Sequence, residues 1–152
     1  MCKYFDLLMR LEFLFLSGVA SGSIYTGTLN EQKTYHGYGH LQEADNKYYT
    51  GYFNNGKFEG FGLQVMDGTY FSGNWLDGAP IGKGIHSLSD GSTYIGNVED
   101  GVYSGEGVFI SEDFRYSGQW RGGKIHGRGI GEFRKNRYST APYTKNYVCA
   151  QY

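Results

Sequence analysis

Short runs of the chain alternate apolar and polar residues, and five of these runs share one pattern. An aromatic residue is followed two positions later by glycine and two positions after that by an apolar residue, as in Tyr49, Gly51 and Phe53. The residues between them are mainly polar. Because side chains alternate between the two faces of a strand, this spacing predicts five strands with one apolar face and one face in water.

A turn signal and a second strand follow each of these predicted strands. Asn55-Gly56 and Asp77-Gly78 supply the positive φ that a tight hairpin needs, and the second strand begins around a Gly-x-Gly pair. The leading aromatic, glycine and apolar residues are Tyr25, Gly27 and Leu29; Tyr49, Gly51 and Phe53; Phe71, Gly73 and Trp75; Tyr94, Gly96 and Val98; Tyr116, Gly118 and Trp120. The Gly-x-Gly pairs are Gly37 and Gly39, Gly60 and Gly62, Gly82 and Gly84, Gly105 and Gly107, Gly127 and Gly129.

The anchor glycines recur every 22 to 24 residues, a period typical of stacked repeat arrays. We therefore predict an all-β fold: an elongated antiparallel meander of stacked β-hairpin repeats with about ten strands and short caps at both ends. The predicted repeats are residues 25–48, 49–70, 71–93, 94–115 and 116–133. Residues 1–24 form an apolar N-terminal cap or a half-repeat, and residues 134–152 form a basic C-terminal tail.

Glycine inside a strand is costly unless another group must approach the backbone closely. The neighbouring strand offers a large ring at each step, so we expect Tyr and Trp rings to lie across the Gly-x-Gly backbone, at Gly60 as well as at its partner glycine. On this interpretation, Gly60→Val destabilises the protein by overpacking against a ring.

The segment from Tyr116 to Gly129, with Trp120, Gly123 and His126 between, resembles the MORN (membrane occupation and recognition nexus) repeat. The resemblance covers about residues 25–133. The chain departs from the motif at Leu29 and Val98, where the motif has Trp, and at Ala79-Pro80, where it has Lys after the turn glycine. The resemblance implies a scaffold at membranes or at cytoskeletal or ciliary structures, or an accessory module of a larger enzyme.

The two ends of the chain differ from the repeats. Leu11 to Ala20 is largely apolar but shorter than the roughly 20 residues that span a bilayer. We interpret it as a cap on the sheet edge, with a secretory signal as the alternative, and therefore favour a cytoplasmic location over a secreted one. After Phe133, Ala141-Pro142 is expected to prevent any further strand.

Charge is unevenly distributed along the chain. Residues 1–114 sum to −8 and residues 115–145 to +7. The basic pole is a candidate site for anionic lipid headgroups or an acidic partner, whereas no accompanying motif favours nucleic acid. Its residues are Arg115, Arg121, Lys124, Arg128, Arg134, Lys135 and Arg137.

Candidate catalytic chemistry is sparse. The four histidines lack a zinc-binding spacing, the two cysteines stand at opposite ends, and the glycines follow the repeat instead of a phosphate-binding loop. We predict no enzyme activity, no metal and no cofactor. A second surface candidate is an apolar patch on the water-facing side of the strands, formed by Tyr52, Phe61, Leu63 and Val65.

These observations lead to three functional hypotheses. The first is a non-enzymatic scaffold or adaptor that binds a protein or peptide partner through the repeat sheet, at a membrane or cytoskeletal structure. The second is a membrane tether that binds anionic phospholipid through the basic pole. The third is an accessory repeat region of a larger enzyme.

Overall fold

The computed structural model describes residues 22–44, 46–134 and 144–147. Within these ranges, eleven strands form one antiparallel sheet whose order follows the chain, and no helix is present. The predicted all-β meander of hairpins is therefore confirmed. The strands are β1 (Ile24–Leu29), β2 (Tyr35–Ala44), β3 (Lys47–Asn54), β4 (Lys57–Met66), β5 (Thr69–Leu76), β6 (Ala79–Ser87), β7 (Thr93–Glu99), β8 (Val102–Ile110), β9 (Phe114–Arg121), β10 (Lys124–Phe133) and β11 (Thr144–Tyr147).

The tight turns inside the repeats adopt the predicted backbone conformation. Asn55, Asp77 and Asp100 have φ of 49°, 52° and 49°, and each is followed by a glycine that also has positive φ. Two successive positive φ values are the mark of the hairpin turn whose twist matches the flanking strands. The turn also joins repeats, because the Gly78 N–H donates to the Phe58 carbonyl of the preceding repeat at 2.9 Å.

The first glycine of each Gly-x-Gly pair lies at a β-bulge. Gly60 and Gly82 have φ of 61° and 71°, and Gly37, Gly105 and Gly127 are also positive. Strand pairing shifts register at this point in all five intra-repeat hairpins of the described chain. A bulge residue with positive φ favours glycine. The first glycine is therefore required by the backbone conformation.

The second glycine of each pair belongs to a glycine line that crosses the sheet. Each of these glycines is the register partner of the next across β1 to β10. The line contributes one backbone position per strand with no side chain on either face. Its members are Gly27, Gly39, Gly51, Gly62, Gly73, Gly84, Gly96, Gly107, Gly118 and Gly129.

One aromatic ring per repeat lies flat over two neighbouring glycines of this line. A Cβ on Gly51 would lie 2.5 Å from the Tyr49 hydroxyl oxygen and 2.6 Å from the Gly62 Cα. The Tyr49 hydroxyl reaches past the glycine and donates to the Tyr52 carbonyl at 3.1 Å. Tyr94 repeats this arrangement. We call the face that carries these rings the ring face and the opposite one the open face.

The prediction that rings cover both glycines of each Gly-x-Gly pair is wrong for the first glycine. A Cβ on Gly60 would meet only the Tyr52 side chain, at an ordinary 3.6 Å. The bulge turns this residue away from the ring face, so the ring reaches only the second glycine. The expected overpacking of Gly60→Val is therefore also wrong, and any cost at this position comes from its positive φ.

Neighbouring repeats interlock through aromatic contacts on the ring face. Tyr49 stacks on Phe58 with ring centroids 3.7 Å apart, and Trp75 of the next repeat meets both rings edge-on at 5.4 and 5.3 Å. The Trp75 Nε1–H donates to the Gly62 carbonyl at 3.3 Å. Edge-to-face pairs contribute about 0.5–1.5 kcal/mol each beyond the area that they bury. The core is thus a row of rings along a single sheet.

The chain after Phe133 differs from the prediction. A further strand was not expected beyond Ala141-Pro142, but β11 pairs antiparallel with β10, with Phe133 opposite Thr144. Because β11 begins after Pro142 in the sequence, the missing proline N–H is not needed within this strand. The predicted cap at Leu11 to Ala20 lies outside the described residues.

The two glycines of one pair allow a direct test of this account. We expect Gly84→Ala to lower the free energy of unfolding by about 3 kcal/mol, because its Cβ would overlap the Phe71 ring. Gly82→Ala should cost only about 1 kcal/mol, because its Cβ would meet nothing within 4 Å and only the φ of 71° opposes it. Urea denaturation measures both. Equal losses would contradict the assignment of the ring to the second glycine.

Candidate functional site

The open face carries the predicted partner patch. Phe61 is 60% exposed and Tyr52 is 51% exposed, while Leu63 and Val65 are partly buried on the same face. Tyr38 extends the patch to β2, where its ring meets that of Tyr52 edge-on at 5.4 Å. Large aromatic side chains that are clustered and exposed to water are typical of an interaction surface.

An open groove of about 490 Å³ follows the glycine line on this face from β4 to β9. Two rows of side chains form its sides, and the glycine backbone forms its floor. On one side stand Phe61, Lys83, Asn97 and Glu106; on the other stand Ser72, Ile85, Ile95, Val108 and Ser117. Because glycine leaves the strand backbone uncovered, a bound chain can approach it closely.

Sequence reasoning did not find the aliphatic side of this groove. Ile85 and Ile95 are 42% and 44% exposed and are register partners on β6 and β7. The sequence contains the signal for this side, because Ile95 and Ile85 are each adjacent to a glycine of the line. Side chains next to these glycines point away from the ring face and therefore lie on the open face. This signal was overlooked because the face was interpreted as polar outside the predicted patch at Tyr52, Phe61, Leu63 and Val65.

Only some residues of the basic pole are exposed to solvent. Arg121, Lys124 and Arg128 are exposed around the last hairpin, whereas the Arg115 Nη1 forms an ion pair with the Glu132 Oε2 at 3.3 Å. Arg134 is partly buried. Lys135 and Arg137 lie outside the described residues. The structure thus brings together a trio of exposed cations, not the whole predicted set.

Sequence reasoning also missed a buried polar contact on the ring face. The His86 Nδ1 lies 2.6 Å from the Tyr103 hydroxyl oxygen, and both side chains are buried. Burial lowers the pKa of His86 to about 4 and raises the pKa of Tyr103 above its usual value. This histidine is neutral at pH 7. Because it is buried among the aromatic rings of the ring face, we assign it a structural role.

Within the described residues, no group of three or more His, Cys, Asp or Glu side chains could hold a metal ion. In the same part of the chain, no helix is long and apolar enough to cross a membrane.

The repeat geometry agrees with a comparison against known families. A family model described as the MORN repeat matches residues 49–65, 71–93, 94–113 and 116–130. The chain belongs to the MORN repeat family. No curated protein matches it. The matched segments fall on the second to fifth predicted MORN repeats, and the first, 25–48, forms a hairpin with the same register shift next to its glycine line residue Gly27.

The buried histidine of this MORN array predicts a pH dependence of stability. The folded state binds a proton at His86 more weakly than the unfolded state, whose pKa is near 6.5. The free energy of unfolding is therefore highest above pH 6.5 and should fall by up to about 3 kcal/mol as the pH drops towards 4.

His86→Gln is the matched control, because Gln64 occupies the equivalent buried position in the second repeat. Urea denaturation between pH 7 and pH 4.5 should show a flatter profile for this variant than for the wild-type chain. An identical pH profile for the two proteins would remove His86 as the cause.

Proposed function

We propose that this MORN repeat protein is a non-enzymatic interaction module that binds a protein partner through its open face. The observation that carries the proposal is the groove along the glycine line, with exposed aromatic residues at one end and exposed isoleucines along one side. The ring face already buries its aromatic residues against one another. The open face is therefore the one left to bind other molecules.

The chemistry of the groove suits a polypeptide partner. Its isoleucines and Phe61 offer apolar contact, while Lys83, Asn97 and Glu106 on the other side offer charge and hydrogen bonds. Protein interfaces combine an apolar centre with a polar rim in this way. The family resemblance supports placing this contact at a membrane or cytoskeletal structure, in a separate scaffold or in the repeat region of a larger enzyme.

The basic pole supports a second candidate function, contact with anionic phospholipid. Its support is the exposed trio of Arg121, Lys124 and Arg128, each of which contributes about 1 kcal/mol near a charged bilayer. The Arg115–Glu132 ion pair reduces the set. Cosedimentation that is equal with anionic and neutral liposomes would remove this candidate.

Site-specific photo-crosslinking in the native cell tests the leading proposal. A photoreactive phenylalanine analogue in place of Ile95, which lines the groove, should give a discrete adduct with a partner protein. The same analogue in place of Asp100, at the exposed tip of the same hairpin, should give none or far less.

A surface variant controls for chance proximity in this experiment. Phe61→Ser combined with Ile85→Ser removes exposed apolar area from the groove but should leave the melting temperature nearly unchanged, because neither side chain is in the buried core. The adduct at position 95 should then fall at least about tenfold, since these two changes remove well over 1.4 kcal/mol of apolar contact. Persistence of the adduct, or equal adducts at the hairpin tip, would contradict the proposal.

A further inference from the structure

The side chains on the open face follow a symmetric order from β4 to β10. Two rows of side chains cross the strands on this face, one on each side of the groove. We call the row that contains Lys83 and Glu106 the polar row, and the row that contains Ile85 and Ile95 the aliphatic row. The polar row is Phe61, Asn74, Lys83, Asn97, Glu106, Gln119 and Arg128. The aliphatic row is Leu63, Ser72, Ile85, Ile95, Val108, Ser117 and Ile130.

When each row is read in reverse order about β7 and laid over the original row, the paired side chains are complementary. In the polar row, Lys83 then meets Glu106, Asn74 meets Gln119, and Phe61 meets Arg128. Asn97 meets its own copy. Opposite charges, paired amides and a guanidinium over an aromatic ring are all favourable contacts.

The aliphatic row shows the same property. Ile85 meets Val108, Leu63 meets Ile130, and Ile95 meets its own copy, while the two small serines oppose each other. Apolar groups thus face apolar groups at each place in the row where a bulky side chain stands.

A two-fold rotation about an axis parallel to β7 produces this arrangement. Such a rotation places β4 over β10 and β6 over β8, and it keeps each position along the strand opposite its equivalent. The polar row therefore lies over the polar row and the aliphatic row over the aliphatic row. Sheets stacked face to face lie about 10 Å apart, and the two copies of β7 run parallel because both lie along the axis, so contacts near β7 match best.

The charges next to the axis have no ion-pair partner in the described part of one chain. Lys83 and Glu106 are both exposed, and neither forms an ion pair within the described residues. They stand on β6 and β8, on either side of Asn97, whose Nδ2 donates to the Glu106 carbonyl at 3.2 Å. A second copy would supply each of them with the opposite charge.

We infer that the open face binds a second copy of this chain, face to face, about a two-fold axis along β7. This inference rests on the proposed function and names the partner of the same face. Self-complementary surfaces of this kind are what a two-fold dimer requires, because each contact occurs twice. The footprint covers six strand spacings, roughly 29 Å, and only two rows, so the dimer belongs to the weak, concentration-dependent class.

Charge reversal at Lys83 and Glu106 tests the inference with the full chain. Sedimentation velocity over a range of concentrations should show a monomer–dimer equilibrium for the wild type that weakens as ionic strength rises. Lys83→Glu alone, and Glu106→Lys alone, should each weaken self-association at least about tenfold, because each places like charges opposite one another twice. An equimolar mixture of the two single variants should associate as the wild type does, since both contacts are then restored in swapped form.

Two results would overturn the inference. One is a wild-type chain that stays monomeric at every concentration; the other is a mixture of the two variants that associates no better than either variant alone. Unchanged melting temperatures of the single variants exclude unfolding as the cause, and rescue in the mixture cannot come from a structural defect. If the wild type is monomeric while photo-crosslinking at Ile95 still yields a different protein, the proposed function stands and only the second copy is rejected.

Discussion

The structure depends on one interaction, an aromatic ring laid flat over two glycines of neighbouring strands. Tyr49 over Gly51 and Gly62 is the clearest example, because its hydroxyl then donates to a carbonyl beyond the glycine. A Cβ at either glycine would occupy the space of the ring, so the interaction demands glycine on both strands. Repeated in the hairpin of each of the five repeats, this demand produces the glycine line across the sheet.

The same interaction explains how a single sheet can have a buried core and still present a free surface. The rings stack within repeats and meet edge-on between repeats, as Trp75 does with Tyr49 and Phe58. The ring face is thereby covered by its own side chains. On the open face, the described residues provide no such cover, and the glycine line leaves a groove there between two rows of side chains. This difference between the two faces is the reason that we place the proposed partner contact on the open face.

Much of this architecture could be predicted from the sequence because the repeat places the same residues at fixed intervals. Alternation gave the strands, and Asn-Gly and Asp-Gly pairs gave the turns. The role of each glycine could not be separated, because a bulge and a covered strand position both require glycine, and only the backbone shows that Gly60 is the bulge. β11 was missed because Pro142 was taken to prevent any further strand, although a proline does not exclude a strand that begins after it. The aliphatic side of the groove was missed because Ile95 departs from the Thr and Ser residues that occupy its position in the other repeats.

The ring-on-glycine interaction can be measured directly with a double-mutant cycle between Phe71 and Gly84. Phe71→Leu removes the far end of the ring, the part that a Cβ on Gly84 would overlap, while it keeps most of the apolar volume. If the ring lies on this glycine, Gly84→Ala should cost at least about 1.5 kcal/mol less in the Phe71→Leu background than in the wild type. Additive losses from the two substitutions would contradict the account, because they would mean that ring and glycine do not share the same space.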